Sequence, residues 1–440
     1  MVLLALVSVL SLGARVAWLG DPCHSPCRRS TDHLLIFDET YYVNAARVIA
    51  GIHPPPGAHY ATAPLGDDPN SEHPQLAKLI MAGSIELFGD GPLAWRLGSL
   101  IAGSLAILGM WALARAAGAG EWPALGAAFL MAADNLLLVA GRIGTLDIYA
   151  VAAMVWAVAH YLRGRPWRAG AVIAIGIAAK EVSAYAILVL LVWELLHVWT
   201  KGESRQLVAA AARRFVAFSL IALGGFVALL AVMDRLAPPY NPLTHHVVAG
   251  GVLGHIAHII SYGAHLASPH GPSGIASYPW EWLVDYKPIV YLSIDPAHPA
   301  PGLTHDHPAA LFLGMISPPI LLLAVPGLVA AALAALRARR LALADALVAS
   351  PSPTADVWQT GASAQVGLAW FLGTFAPYVI FSLVWQRTSY LYYMVIVMPG
   401  IYLAVSALVS RYRSHRRLVT VWVVAVSLAA VLMYPFTPLF

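Results

Sequence analysis

The recurrence of long apolar runs constrains this chain more than any other feature. In lipid, backbone N–H and C=O groups find no water, so a spanning segment must close its hydrogen bonds within a helix or a closed barrel. About 20 mostly apolar residues suffice for a helix to cross. Such runs fall at about 1–19, 92–115, 122–140, 146–162, 168–179, 182–199, 213–235, 309–336, 364–384, 390–410 and 418–435 of the 440 residues. They predict an all-α polytopic membrane protein with about 11 transmembrane helices. Composition agrees, with 59% hydrophobic and 11% charged residues, against about 25% charged in an ordinary globular domain. The first run lacks the basic start and clear small-residue cleavage site of a signal peptide, and reads as a retained first helix.

The charges then set the orientation. Arg115; Arg163, Arg165 and Arg168; Lys201, Arg205, Arg213 and Arg214; Arg337, Arg339 and Arg340; and Arg411, Arg413, Arg416 and Arg417 occupy alternate loops. These fifteen of the 26 Lys and Arg share one side if the spans number eleven, and the positive-inside rule makes that side cytoplasmic. The N-terminus is then inside. Basic residues placed in short blocks between spans are topology signals, so the net charge of +4 does not point to nucleic acid.

The opposite face carries two long loops, about 20–91 and 236–308, rich in His, Pro, Tyr and Trp. The whole chain, 1–440, reads as one domain with its chemistry on that outer face. Two pieces of the first loop read as interfacial helices. In "DETYYVNAARVIAG", Asp38 is placed to cap and Gly51 to stop. In "EHPQLAKLIMAGSIELFG", Pro74 suits the first turn and Gly89 the end. Cys23 and Cys27, in "DPCHSPC", suit a short disulfide if their loop is extracytoplasmic, with free thiols as the alternative. The stretch around "SPSPT", 341–363, reads as a cytoplasmic linker.

The adjacent carboxylates Asp38 and Glu39 read either as a helix cap beside a solvated acid or as a general base at the water edge, one acid raising the proton affinity of the other. Lys78, Arg96, Arg142, Lys180 and Arg387 fall near the outer ends of spans. Singly each suits snorkelling; together they favour a bound anion, with phosphate at the membrane surface the obvious candidate. Asp147 follows Arg142 in "GRIGTLD" and suits a structural ion pair equally well, and Lys180 with Glu181 suits mutual neutralisation. The histidines His245, His246, His255, His258, His265, His270, His298, His305 and His307 read as a polar loop rather than a metal centre, although "THDHP" resembles a metal-binding tract. No metal ligand set is expected; a divalent cation stays open as a cofactor.

Several stretches together resemble the protein O-mannosyltransferase family in its short bacterial form. They are "ARVAWLGDP", "LIFDETYYVNAARVIAG", "EHPQLAKLIMAGSIELFGDGPLAWRL", "FLMAADNLLLVAGRIGTLDIYAV", "YPWEWLVDYKPIVYL", "RTSYLYYMVIVMPG" and the closing "YPFTPLF", in order along nearly the whole chain. The resemblance implies a GT-C type bundle and a polyprenyl-phosphate-linked sugar donor, most often mannose. It also implies inverting transfer to Ser or Thr hydroxyls of exported proteins at the lipid bilayer. The family's acidic pair falls on Asp38 and Glu39, the first in the acid–base role. Its HPPLGK segment falls on His73 and Lys78, and the related aminoarabinose transferases carry a lysine here that contacts the lipid phosphate. The late arginine falls on Arg387. Arg142 and Lys180 complete the expected phosphate set, with His73, Asp147, Tyr42, Trp280 and Trp282 positioning substrates; the tryptophans suit an aromatic belt as well.

The chain departs from the family at Gln75 and Ala77, within HPPLGK, at "AKEVSAY", which keeps Lys180 and loses a Trp, and at Lys287. Two other readings stand beside transfer to protein: the same donor class with a lipid or glycan acceptor, and a lipid transporter. The transporter reading expects polar residues near the bilayer midplane and repeat symmetry, which the crowding of charges at outer span ends does not match.

Overall fold

The computed structural model describes residues 1–294, 310–345 and 355–437. His298, His305, His307 and the "SPSPT" core lie outside the described residues. Sixteen α-helices are described: α1 (Val2–Val16), α2 (Glu39–Ile49), α3 (Leu76–Phe88), α4 (Pro92–Ala116), α5 (Glu121–Ala133), α6 (Asn135–Ala140), α7 (Asp147–Leu162), α8 (Pro166–Ala179), α9 (Tyr185–Lys201), α10 (Arg205–Leu236), α11 (Gly251–His265), α12 (Pro318–Leu322), α13 (Ala324–Asp345), α14 (Ala355–Trp385), α15 (Met394–Arg411) and α16 (Arg416–Leu432). Two small antiparallel pairs join them: β1 (Tyr240–Asn241) with β2 (His246–Val247), and β3 (Ile289–Ile294) with β4 (Ala310–Gly314).

Every expected span overlaps a helix. Among the described residues six helices are long and apolar enough to cross a membrane: Pro92–Ala116, Glu181–Lys201, Arg205–Leu236, Pro318–Ala344, Gly361–Trp385 and Leu391–Arg411. The chain is thus an integral membrane protein. The bundle is built by α4 against α5 and α7, α7 against α8, α8 against α10, α9 against α14, and α15 against α14, α13 and α5. Leucines and valines of α1, α10 and α16 stay exposed on its outside, such as Leu220, Val232, Leu418 and Val421, as a surface facing lipid requires.

Two spans differ from the expectation. The run 122–140 is broken at Asp134, whose extended backbone ends α5. The Asp134 carboxylate accepts from Leu136 N at 3.3 Å to start α6, and also from Ser317 N at 2.9 Å and Tyr402 Oη at 2.5 Å. The run 309–336 opens as β4, not helix. Ala310, Phe312 and Gly314 alternate inward, and Pro318 and Pro319 can begin a helix but not continue one from upstream. The first loop also differs in detail. Asp38 stands at the N-cap of α2 without a side-chain cap bond, and α3 begins after Pro74, with Gln75 as its cap. Gly89, at φ +83°, ends α3 as expected.

The α14–α15 crossing depends on two glycines. A Cβ at Gly367 would sit 2.8 Å from the Gly400 carbonyl oxygen, and one at Gly400 would sit 2.8 Å from that of Gly367. Small residues let two membrane helices approach this closely. Gly367→Val is expected to lower the thermal midpoint in detergent by several degrees, because overpacking costs about 1–3 kcal/mol. A melt that superimposes on wild type would refute this packing.

Candidate active site

The bundle leaves a cavity of about 870 Å³ where the two long loops meet α8, α9, α10 and α14. One wall is apolar: Ile177 of α8, Leu223 and Phe226 of α10, Ile256, Ile259 and Ile260 of α11, and Phe381 and Trp385 at the end of α14. The other end is polar and holds Asp38, Tyr41, Tyr42, Glu72, His73, Lys180, Glu181 and Arg387. In chain order Asp38, Glu72, His73, Lys180, Glu181 and Arg387 fall in segments that alternate with those carrying the basic blocks.

Asp38 reaches this cavity through an unusual local backbone. Phe37 before it has φ +54°, a left-handed conformation that costs an aromatic residue of order 1 kcal/mol. The Phe37 ring is held by stacking on Tyr291, centroids 4.2 Å apart. Among the described residues no hydrogen bond or ion pair engages the Asp38 carboxylate. Burial raises its pKa to about 6; Lys180 pulls it down, and Asp147 pushes it up. The like charge is therefore Asp147 and not the adjacent Glu39, which corrects the expectation drawn from the neighbouring pair.

Lys180 lies in an extended residue between α8 and a short 3₁₀ turn. Its Nζ is 3.1 Å from His73 Nε2, 3.4 Å from His73 Nδ1 and 3.4 Å from Tyr42 Oη. Arg387 follows α14, donates Nε–H to the Gly263 carbonyl at 3.1 Å, and lies over the Tyr393 ring at 5.7 Å. Tyr393 stacks on Tyr378, and Tyr378 on Tyr185, with centroids 5.1 and 5.2 Å apart. This aromatic stack fixes the cation at the cavity wall. Of the expected site residues, the structure brings together Asp38, Tyr42, His73, Lys180 and Arg387.

The others it places elsewhere. Glu39 is fully buried and points away, accepting from Arg96 Nε and Nη2, both at 2.7 Å, from Ile36 N at 2.8 Å and from Gly144 N at 2.6 Å. All its acceptor capacity goes to tying α2 to α4 and the α6–α7 turn. Lys78 is also fully buried, 2.6 Å from Asp68 Oδ2, and donates to the carbonyls of Asn70 at 2.5 Å and His73 at 2.9 Å. Burial lowers its pKa against the pull of Asp68. It organises the first loop and does not line the cavity, contrary to its expected phosphate role.

Arg142 donates to the carbonyls of Ala14 (3.0 Å), Arg15 (3.1 Å) and Trp18 (2.7 Å) and to Tyr434 Oη (3.2 Å). A helix end leaves such carbonyls unpaired, so Arg142 closes the end of α1 and is not a phosphate ligand in this geometry. Asp147 is buried at the start of α7 outside the cavity lining. Trp282 is buried, with Nε1–H donated to Ser277 Oγ at 3.0 Å. Trp280 stacks on Tyr278 at 4.6 Å and is half-exposed. Neither tryptophan lines the cavity.

Sequence reasoning missed a tie between the two loops. Gln75 Nε2 donates to Asp234 Oδ1 at 2.7 Å, and the buried His255 contacts the same oxygen through Nδ1 at 2.7 Å and the Ser71 carbonyl through Nε2 at 3.0 Å. The substitution of glutamine within "HPQLAK" was the visible signal. Cys23 and Cys27 are joined by a disulfide. Among the described residues no three His, Cys, Asp or Glu side chains are grouped to hold a metal ion.

A family model described as dolichyl-phosphate-mannose-protein mannosyltransferase matches residues 72–233. The polyprenol-phosphate-mannose–protein mannosyltransferase of Corynebacterium glutamicum is 36% identical over 118 residues, 26% of this chain and 22% of that protein. The matched stretch thus spans under a quarter of this curated relative. Among solved structures, a S. cerevisiae protein O-mannosyltransferase complex bound to the sugar donor superimposes with TM-score 0.65 at 13% identity, over 99% of this chain and 90% of that one. The archaeal oligosaccharyltransferase AglB from Archaeoglobus fulgidus gives 0.54 at 14% identity, over 98% and 54%. ArnT from Cupriavidus metallidurans bound to undecaprenyl phosphate gives 0.50 at 18%, over 92% and 60%. At these identities the likeness shows the fold, that of the GT-C membrane glycosyltransferases.

Proposed function

We propose, for a chain that resembles the protein O-mannosyltransferase family and carries the GT-C fold, that it transfers a sugar, mannose, from a polyprenyl phosphate to Ser or Thr hydroxyls of exported proteins. The observation that carries this reading is a single cavity with an unpaired carboxylate, two cations and an apolar wall. The prenyl chain lies along the apolar wall between α10, α11 and α14. Lys180 and Arg387 bind the phosphate and stabilise the charge that develops as it leaves. Asp38 takes the proton of the attacking hydroxyl. The new bond joins the acceptor oxygen to the anomeric carbon, the bond from that carbon to the phosphate oxygen breaks, and configuration inverts. The proton stays on Asp38 until solvent removes it.

The chain works as a single domain in the bacterial plasma membrane, with its N-terminus cytoplasmic and the cavity outside. Support comes from the fifteen basic residues at the opposite ends of the spans and from the Cys23–Cys27 disulfide, which suits an oxidising compartment.

Purified protein incubated with synthetic prenyl-phosphate mannose and a Ser/Thr-rich peptide is expected to yield glycopeptide with inverted anomeric configuration, read by mass spectrometry and NMR. An unmodified peptide, with hexose gained instead by extracted lipid or glycan, would move the acceptor to that class. Arg387→Ala is expected to raise the donor KM about 10- to 100-fold, the effect of losing one hydrogen-bonded charge, with the acceptor KM unchanged. An unaltered donor KM would remove Arg387 from the phosphate site.

A further inference from the structure

Lys180 and Glu181 are neighbours in sequence, and a direct ion pair between them would cancel the charge a phosphate needs. The structure loosens that pair. Their closest charged atoms are 3.9 Å apart, at the limit of an ion pair, and His73, from the first long loop, contacts both. His73 Nδ1 is 3.0 Å from Glu181 Oε2, and His73 Nε2 is 3.1 Å from Lys180 Nζ. Proton bookkeeping fixes the ring. A carboxylate only accepts and an ammonium only donates. A neutral imidazole therefore gives its Nδ1–H to Glu181 and offers Nε2 to Lys180, whereas an imidazolium would set two positive charges 3.1 Å apart.

The same count bears on Lys180. Its ammonium has three N–H donors; one meets His73 Nε2 and one meets Tyr42 Oη at 3.4 Å. For the third, the Glu181 carboxylate is 3.9 Å away, beyond hydrogen-bond reach, and Lys180 lines the cavity together with Arg387. An ammonium on a flexible four-carbon stem is a poorly aimed charge, so two fixed acceptors give it a direction.

We propose that Glu181 and His73 are positioning residues: they aim the Lys180 ammonium into the cavity, toward the donor's phosphate. This deepens the reading above and rests on it for the identity of the anion. Glu181 fixes the tautomer of His73, and His73 fixes the ammonium. Neither touches the transferred sugar.

The full-length protein in detergent tests this through binding of a short-chain prenyl phosphate, measured by calorimetry, alongside transfer kinetics. His73→Leu is expected to weaken prenyl-phosphate binding and raise the donor KM about tenfold, leaving the acceptor KM unchanged. His73→Gln is expected to recover most of that loss, because an amide oxygen accepts from Lys180 while its N–H donates to Glu181. In a Lys180→Ala background, His73→Leu is expected to add almost nothing. Three results would overturn the relay: prenyl-phosphate binding by His73→Leu equal to wild type, a His73→Gln variant that melts normally yet binds as weakly as His73→Leu, or full additivity in the double variant. Failure of the wild-type protein to bind prenyl phosphate would instead remove the donor reading. Binding that follows this pattern without glycopeptide would leave the relay standing and remove the protein acceptor.

Discussion

Asp38→Asn is expected to lower transfer by about 10²–10⁴-fold, the range a positioned general base contributes, while prenyl-phosphate binding and membrane insertion stay intact. An amide of the same shape fills the same space but cannot take up the hydroxyl proton. The pH profile gives an independent check. With its pKa raised to about 6 by burial, the carboxylate is ionised above that value and protonated below it. A base works only when ionised, so the wild-type rate is expected to fall as pH drops through about 6 and to level off above. Residual activity in Asp38→Asn should lack that limb. Near-full transfer by this variant, or a wild-type rate flat from pH 5 to 8, would assign the proton to another acceptor.

Lys78→Ala is expected to act on stability and not on the donor. Its ammonium and the Asp68 carboxylate are both fully buried, and removing one member of a buried pair leaves an uncompensated charge at a cost of about 3–5 kcal/mol. The variant should express poorly and melt well below wild type, and whatever remains folded should bind prenyl phosphate normally. Lys78→Met combined with Asp68→Leu should recover part of the loss, since replacing both charges by apolar groups of similar volume is often neutral. A well-folded Lys78→Ala protein with weak donor binding would return Lys78 to the phosphate site.

The helices were legible because apolar length is a local property. The placement of charges was not, because it depends on partners far along the chain. Asp38 and Glu39 are adjacent, yet successive residues at a helix start point about 100° apart; one faces the cavity and the other Arg96. Lys78 and Lys180 look equivalent as cations near span ends. Only the fold shows that Asp68 claims the first, while an imidazole contacts both the second and Glu181. The break at Asp134 was hidden for the same reason, since its partners Ser317 and Tyr402 lie 183 and 268 residues away.

The tie through Gln75, Asp234, His255 and Ser71 has a bearing on how these proteins can be recombined. Transplanting the first outer loop of a relative with proline at position 75 would strip Asp234 of its amide donor and leave the buried imidazole facing a mismatched surface. A graft that retains Gln75 against the host's own Asp234 and His255 keeps every one of those contacts. Hybrids intended to alter acceptor preference should therefore succeed only when that glutamine is kept.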